Sequence, residues 1–130
     1  MITVPPDDIS AADTAELIGC EVASITVMSA MISVLFARYR GRSEGAGARL
    51  DIEEGFHFAS GTKVVSVRQA DGLMAFRETA AALLPLVEQS VKKAVVETAG
   101  SLWLEFSDGS TLRLLVSDAG FESYHLHTQL

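Results

Sequence analysis

The chain has 130 residues, of which 48% are hydrophobic and 21% are charged. This length fits one domain, and the composition excludes an intrinsically disordered chain. Lys and Arg number 10 against 17 Asp and Glu, so the net charge of −7 disfavours nucleic acid as a partner. Cys20 is the one cysteine, which excludes an intrachain disulfide and a metal site built from cysteines alone.

The amino-terminal segment predicts neither a secretory signal nor a membrane anchor. Residues 1–8 lack a basic region and an apolar region, and Pro5-Pro6 followed by two aspartates predicts a loose, extended segment. The longest uncharged stretch, Val22–Ala37, is shorter than the ~20 residues that cross a bilayer and carries several hydroxyls. We therefore expect a cytoplasmic protein with no membrane partner.

A short helix is predicted ahead of the main domain. Residues 1–16 predict a flexible or short-helical segment, and residues 17–130 predict a single β-rich domain. Ser10 is placed to N-cap a helix that Gly19 ends. Asp13 lies in the first turn of this helix, where the helix dipole favours a negative charge.

The main domain predicts an α+β, β-rich fold with about six antiparallel strands and one packed helix. The helix covers Ala75–Leu84, where apolar residues recur at helical spacing, and Pro85 marks its end or a kink. Arg38–Ala48 predicts a loop because it holds three glycines. The main strands are Val22–Val27, Met31–Phe36, Arg49–Glu53 continued through Phe56–Phe58, Val91–Glu97, Leu102–Phe106 and Leu112–Val116, with a further short one at Val64–Val67.

The number of residues in the turn at Ser107-Asp108-Gly109 can be predicted from the side chains that each possible turn would pair across the hairpin. A two-residue turn would place Leu104 opposite Arg113 and mix polar with apolar partners. A three-residue loop instead pairs Leu104 with Leu112. It also places Trp103 opposite Arg113 and gives the glycine the left-handed position that suits it. We therefore expect the three-residue loop.

The two halves of the chain share an order of apolar positions. A chain this apolar also produces such matches by chance, so both a repeat and its absence stay open. A repeat would give two three-stranded units in a sandwich or barrel-like arrangement. The matching runs are Val22–Val27 with Val91–Val96, Ile32–Phe36 with Leu102–Phe106, and Leu50–Ile52 with Leu112–Leu114.

Two groups of residues suggest chemistry. Glu53-Glu54 and His57 place carboxylates and an imidazole close together, but no nucleophile at a recognised spacing accompanies them, which favours a solvated strand edge. His125 and His127 share a face if their segment is extended. With Asp118 or Glu122 they would form a mixed metal site, although exposed terminal histidines are favoured. We expect no metal and no other cofactor.

The remaining reactive residues favour structural roles. Cys20 has no cationic neighbour in sequence, so a buried, inert thiol is expected. One basic cluster flanks the glycine-rich segment, and the net charge favours a solvated loop there over contact with nucleic acid. The cluster consists of Arg38, Tyr39, Arg40, Arg42 and Arg49.

The segment Gly100–Leu112 follows the pattern G-x-L-x-L-x-F-x-D-G-x-x-L. Together with the acidic-aromatic ending Phe121–Tyr124 and the glycine turn in Leu17–Val22, it resembles a family of small uncharacterised bacterial domains. The resemblance extends from about Leu17 to Leu126 and implies a domain of unknown function. Some related small acidic domains look like immunity proteins, and others have been labelled ligand-binding. The family offers no catalytic motif to transfer.

These observations predict a non-catalytic binding module rather than an enzyme. An acidic surface would attract a basic protein partner, as in immunity-type proteins. The alternative is a small-molecule-binding domain with its pocket between helix and sheet. Trp103 and Leu115 lie on the outer face of the predicted hairpin, which predicts a homodimer that covers this face. The candidate binding residues are Glu53, Glu54, His57, Trp103 and Arg113.

Overall fold

The computed structural model describes residues 1–40, 43–117 and 123–130. In these ranges the chain forms ten strands and two α-helices, with short 3₁₀ segments at Pro6–Asp8, Gln69–Asp71 and Ala81–Leu86. The helices are α1 (Ala11–Leu17) and α2 (Leu73–Ala80). The strands are β1 (Ile2–Val4), β2 (Glu21–Val27), β3 (Ile32–Arg40), β4 (Ser43–Ile52), β5 (Gly55–Ser60), β6 (Lys63–Arg68), β7 (Val91–Val96), β8 (Leu102–Phe106), β9 (Thr111–Leu114) and β10 (Tyr124–Thr128).

The strands assemble into two five-stranded antiparallel sheets. Sheet A has the order β1-β10-β4-β3-β2, and sheet B has the order β6-β5-β9-β8-β7. Apolar residues of both sheets join one hydrophobic core, in which Phe36, Phe56, Phe106 and Tyr124 are fully buried. Each large apolar side chain buried in this way contributes about 1.5–3 kcal/mol. The predicted β-rich α+β class is confirmed.

The two sheets are built in the same way. Exchanging β1 with β6, β10 with β5, β4 with β9, β3 with β8 and β2 with β7 converts the order of sheet A into that of sheet B. The registers agree with this exchange. Ile32 pairs with Ile52 in sheet A, as Leu102 pairs with Leu114 in sheet B. A β-bulge also follows Val22 in β2 and the matching residue in β7. The repeat that the sequence left open is therefore present in the fold, but each sheet has five strands and not the three expected.

Each half of the chain gives one strand to the sheet of the other half. Strand β5 follows β4 in sequence but pairs with β9, and β10 follows β9 but pairs with β4. The two crossings use equivalent hydrogen bonds. The N–H of Glu53 donates to the carbonyl of Ser123 at 3.0 Å, and the N–H of Leu115 donates to that of Gly55 at 3.0 Å. The halves are thus joined by strand exchange.

Strands β2 and β7, which hold equivalent places in the two halves, are hydrogen-bonded to each other near the residues where they begin. The N–H of Gly19 donates to the carbonyl of Val91 at 2.9 Å, and the N–H of Glu88 donates to that of Val22 at 2.8 Å. Gly19 and Glu88 hold equivalent places in the two halves, and both have positive φ angles, 84° and 77°. Glutamate therefore occupies a conformation that costs a non-glycine residue energy.

Two local predictions are confirmed in detail. Helix α1 begins with a capping box, in which the N–H of Asp13 donates to Oγ of Ser10 at 3.3 Å and the N–H of Ser10 donates back to the Asp13 carboxylate at 2.9 Å. Strands β8 and β9 pair Leu104 with Leu112, as the three-residue loop requires. Gly109 has the expected left-handed conformation, with a φ of 86°.

The loop predicted over Arg38–Ala48 is wrong. Strands β3 and β4 continue their pairing out to Arg40 and Ser43 as one long hairpin. Gly47 lies at a register shift, and a Cβ there would stand 3.1 Å from Sγ of Cys20. The glycine at this point allows the close approach of a buried residue and does not mark a loop.

The strand predicted to run from Arg49–Glu53 into Phe56–Phe58 is also wrong. The chain leaves sheet A after Ile52 and enters sheet B at Gly55. A Cβ at Gly55 would stand 2.3 Å from the carbonyl oxygen of Val67, so a glycine is needed where the chain changes sheets.

The other differences concern lengths and numbers of elements. Residues 1–8, predicted to be loose, hold β1 and a 3₁₀ segment, and β9 ends before Leu115. The helix predicted over Ala75–Leu84 divides into α2 and a 3₁₀ segment that contains Pro85. More strands form than the six predicted, because the strand predicted through Glu53 is two strands, β4 and β5, and because β1 and β10 form as well. Among the described residues, no helix combines the length and hydrophobicity needed to cross a bilayer.

Candidate functional site

A row of side chains crosses the outer face of sheet B. Their register places each residue directly opposite the next, from β7 through β8, β9 and β5 to β6. They alternate along each strand with core residues, so they point away from the core. We call this set the sheet B row: Val95, Trp103, Arg113, His57 and Ser66. Trp103 lies opposite Arg113, as predicted, and His57, singled out separately in the sequence, lies on the other side of Arg113.

The sheet B row combines apolar surface with a fixed cation. Val95 is 49% exposed, and Trp103 beside it is partly buried. Nε of Arg113 donates to Oε1 of Glu97 at 2.6 Å, which holds the guanidinium in place. Val64 is 59% exposed and lies near the edge of the same sheet face. Trp and Arg are the residue types that dominate binding energy at protein interfaces.

Glu53 and Glu54 lie outside the sheet B row, in the link where the chain passes from sheet A to sheet B. The carboxylate of Glu54 accepts a hydrogen bond from the Arg68 guanidinium at 2.8 Å. Because the chain changes sheets at this link, Glu53 and Glu54 do not lie on a continuous strand with His57.

A second polar group lies on the outer face of sheet A and was not predicted. Nε2 of His127 is 2.7 Å from Oδ2 of Asp51, and its Nδ1 is 2.9 Å from Oγ1 of Thr3. Oδ1 of Asp51 accepts hydrogen bonds from Oγ of Ser33 at 2.9 Å and from Nε of Arg49 at 3.2 Å. We call these five residues the sheet A network.

The electrostatics of the sheet A network fix its hydrogen-bond directions. Asp51 is 6% exposed and His127 is 7% exposed. Burial raises the pKa of Asp51, but hydrogen bonds from Ser33 and His127 and the charge of Arg49 outweigh it, so the pKa lies below its usual value. The ionised carboxylate only accepts hydrogen bonds, so Nε2 of His127 carries a hydrogen. In the neutral ring, Nδ1 is then the acceptor.

The sheet A network could not be predicted from the sequence, because its members come from four strands: β1, β3, β4 and β10. No local spacing connects Thr3, Ser33 and Asp51, which are brought together only by strand pairing. The local pattern, in which Arg49 and Asp51 alternate with Leu50 and Ile52, is that of a strand with one solvated face, and it gives no signal that Asp51 is buried. A charge at such a position requires a partner if it is buried.

His125 and His127 share a face of β10, as predicted for an extended segment. The expectation that they are exposed is wrong, because His127 is buried and His125 is partly buried in this paired strand. Their ring centroids are 6.2 Å apart, with an interplanar angle of 26°. Asp118 and Glu122, the carboxylates proposed to complete a metal site, lie outside the described residues. Within the described ranges, no group of three or more His, Cys, Asp and Glu residues could hold a metal ion.

The predicted buried thiol is confirmed. Cys20 is fully buried, and its Sγ donates to the carbonyl of Glu16 at 3.2 Å. Burial raises the pKa of the Cys20 thiol, which keeps it protonated and unreactive. In the basic cluster, Arg38 donates to the same carbonyl and Arg49 pairs with Asp51. Arg42 and the side chains of Tyr39 and Arg40 lie outside the described residues.

Two open clefts lie beside the helices. The first has a volume of 460 Å³ and lies between α1 and β7. The second has a volume of 420 Å³ and lies between α2 and β6. The first is lined by Ile9, Ser10, Ala11, Thr14, Ala94, Val95 and Val96.

The family comparison covers nearly the whole fold. The model of a family of unknown function, DUF6188, matches residues 13–129, from α1 to β10. The chain belongs to this family. The match includes β2 to β10 and leaves out β1, the edge strand of sheet A. The predicted membership of an uncharacterised domain family is confirmed. Comparisons with curated proteins and with solved structures gave no match.

Proposed function

We propose that the protein is a non-catalytic protein-binding module whose contact surface is the sheet B row. The observation that carries this proposal is the placement of Trp103 between Val95 and Arg113 on an outer sheet face. The tryptophan supplies a rigid apolar group, and Glu97 fixes the adjacent guanidinium. Little side-chain entropy would then be lost on binding.

The proposed partner is a basic protein, as for immunity-type proteins in the bacterial cytoplasm. The net charge of −7 supports this choice, because the field of an acidic protein accelerates its encounter with a basic one. The association rate would fall steeply as salt is added, since screening shortens the range of this field.

A neighbouring reading frame that encodes a basic protein provides the test. We expect its product to bind the chain in calorimetry and Trp103→Ala to weaken binding about 30-fold, the size of a hot-spot loss of about 2 kcal/mol. Leu84→Ala is the matched control, because Leu84 is 54% exposed but lies outside the sheet B row. Equal binding by Trp103→Ala, or a gene neighbourhood of housekeeping enzymes alone, would contradict the proposal.

A second copy of the chain is a further candidate for the same face. The exposure of Val64 and Val95, at 59% and 49%, supports it because both lie on the face that a dimer would cover. Light scattering across a range of concentrations should show a dimer that Trp103→Arg converts to a monomer. A wild-type protein that stays monomeric at the highest concentration excludes self-association through this face.

Small-molecule binding is the alternative function, and the cleft between α1 and β7 supports it. Its volume of 460 Å³ lies in the range of ligand sites, and its lining combines apolar side chains with the hydroxyls of Ser10 and Thr14. NMR titration with a library of small apolar acids and amides should shift the Ala94 and Val96 amides. Shifts confined to the sheet B row, or no shifts, would exclude this cleft.

A further inference from the structure

We propose that Thr3 is a site of covalent modification, whose hydroxyl accepts an acyl group from an activated ester or thioester with help from His127 and Asp51. Oγ1 of Thr3 is 2.9 Å from Nδ1 of His127, and Nε2 of the same ring is 2.7 Å from Asp51. A hydroxyl, an imidazole and a carboxylate in this order form the arrangement that activates a nucleophile. The site lies on sheet A and does not depend on the binding face of sheet B.

The hydrogen bonds assign a role to each group. Asp51 is ionised and accepts the Nε2 hydrogen of His127, which leaves the Nδ1 lone pair for the hydroxyl of Thr3. Nδ1 therefore stands where a general base must stand, within hydrogen-bond distance of the proton it removes. Asp51 does not touch the acyl group and acts as a positioning residue.

Strand pairing makes the arrangement rigid. Thr3 on β1 lies directly opposite His127 on β10, which in turn lies opposite Arg49 on β4. Ser33 and Arg49 hold the other oxygen of the Asp51 carboxylate. The base and the carboxylate are both buried, whereas Thr3 is exposed. An acyl donor can thus reach the hydroxyl from solvent while the base is shielded.

The reaction balances without any oxidant or reductant. Oγ1 of Thr3 forms a bond to the acyl carbon, and its proton passes to Nδ1 of His127. The bond from the acyl carbon to the leaving oxygen or sulfur breaks, and the leaving group departs with the electron pair. The products are an ester on Thr3, the released alcohol or thiol anion, and an imidazolium that returns its proton to water.

p-Nitrophenyl acetate is the probe for a test on the full chain. We expect one equivalent of p-nitrophenolate to be released in a burst, with one acetyl group mapped by mass spectrometry to Thr3. The label should be removed by hydroxylamine, as an ester is. Thr3→Ser should keep the reaction, and Thr3→Val should abolish the label at this position while the exposed site leaves the fold intact. Thr111→Val, a threonine on the outer face of sheet B, is the matched control and should react as wild type.

The roles of His127 and Asp51 are tested by comparing the rate of labelling at Thr3 with the rate of labelling at the amino groups of the same variant. In Asp51→Asn and His127→Gln we expect the ester label at Thr3 to form about 100-fold more slowly, the scale of general-base catalysis. Labelling of the exposed amino groups should not change, and an unchanged circular dichroism spectrum of both variants distinguishes loss of the base from a general loss of structure. Label found only on amino groups, or an unchanged Thr3 rate in both variants, would overturn the proposal.

Discussion

At the scale of single residues, Asp51 shows how a buried carboxylate is accommodated on the outer face of sheet A. Ser33, Arg49 and His127 all donate to its carboxylate. Removing the carboxylate would leave these three donors without an acceptor in a place that water does not reach. Breaking a buried pair in this way costs free energy of folding. The network therefore stabilises the fold only as a complete set.

Asp51→Ala should lower the free energy of unfolding by about 3 kcal/mol at neutral pH. The folded-state pKa of Asp51 is lowered, so its contribution is present above the unfolded pKa of about 3.9 and is lost as the pH falls through the folded value. Urea unfolding at pH 7 and at pH 3 should show the gap between variant and wild type narrowing in acid. Asp8→Ala, at an exposed aspartate, is the control and should change little. A gap that does not depend on pH would contradict this prediction.

Glu88→Gly should stabilise the protein by about 0.5–1 kcal/mol, because Glu88 has a φ of 77° where its counterpart Gly19 has 84°. The gain is the difference between relieved backbone strain and the greater flexibility of glycine in the unfolded chain. Thermal unfolding measures it. Glu78→Gly within α2 makes the same chemical change and should destabilise by about 1 kcal/mol. Destabilisation by Glu88→Gly would show that the side chain outweighs the strain.

At the scale of elements, the sequence predicted correctly the features that depend on residues close together in the chain. The capping pair of Ser10 and Asp13 marked the start of α1, and the pairing of Leu104 with Leu112 fixed the loop length between β8 and β9. The predicted strand continuity through Glu53 was wrong, because the change of sheet there depends on the pairing of β5 with β9, which lies far along the chain. Gly47 is required for close packing against Cys20, and glycine content alone does not distinguish such a position from a loop.

Gly55→Ala should cost about 3 kcal/mol or more, since its Cβ would stand 2.3 Å from the carbonyl oxygen of Val67 and force backbone atoms apart. Gly61→Ala is the matched control in the turn between β5 and β6. Its φ is 60°, and nothing lies within 4 Å of the added Cβ, so only the conformational cost of about 1 kcal/mol applies. Chemical denaturation of both variants compares the two effects. Equal losses would show that the close approach at Gly55 is easily relaxed.

At the scale of the whole molecule, two halves with the same topology carry different surfaces. Arg113 in sheet B holds the place that Asp51 holds in sheet A, and Trp103 holds the place of Ser33. The core positions kept their apolar character while the outer faces diverged. The sequence predicted that Trp103 lies opposite Arg113, and the register confirms it. The position of His57 beside Arg113 could not be predicted, because it depends on the exchange of β5 between the halves.

A chain cut in the turn at Gly61–Thr62 should remain one particle. Strand β5 is paired in the sheet of the second half and β10 in that of the first, so the two pieces hold each other through backbone hydrogen bonds. A protease site inserted at this turn allows cleavage of the folded protein. Native mass spectrometry should show both pieces together, with Phe58 and Leu126 still protected from hydrogen exchange as in the uncut chain. Pieces that separate in buffer would contradict the strand-exchanged arrangement.

The position of β10 sets an order of events during synthesis. It lies between β1 and β4 in sheet A, yet the ribosome makes it after β1 to β9. Until then β1 has no neighbour and β4 has an open edge, so sheet A stays incomplete while sheet B already has all its strands. The nascent chain is therefore exposed to misassembly at this one edge until β10 has been made and pairs there.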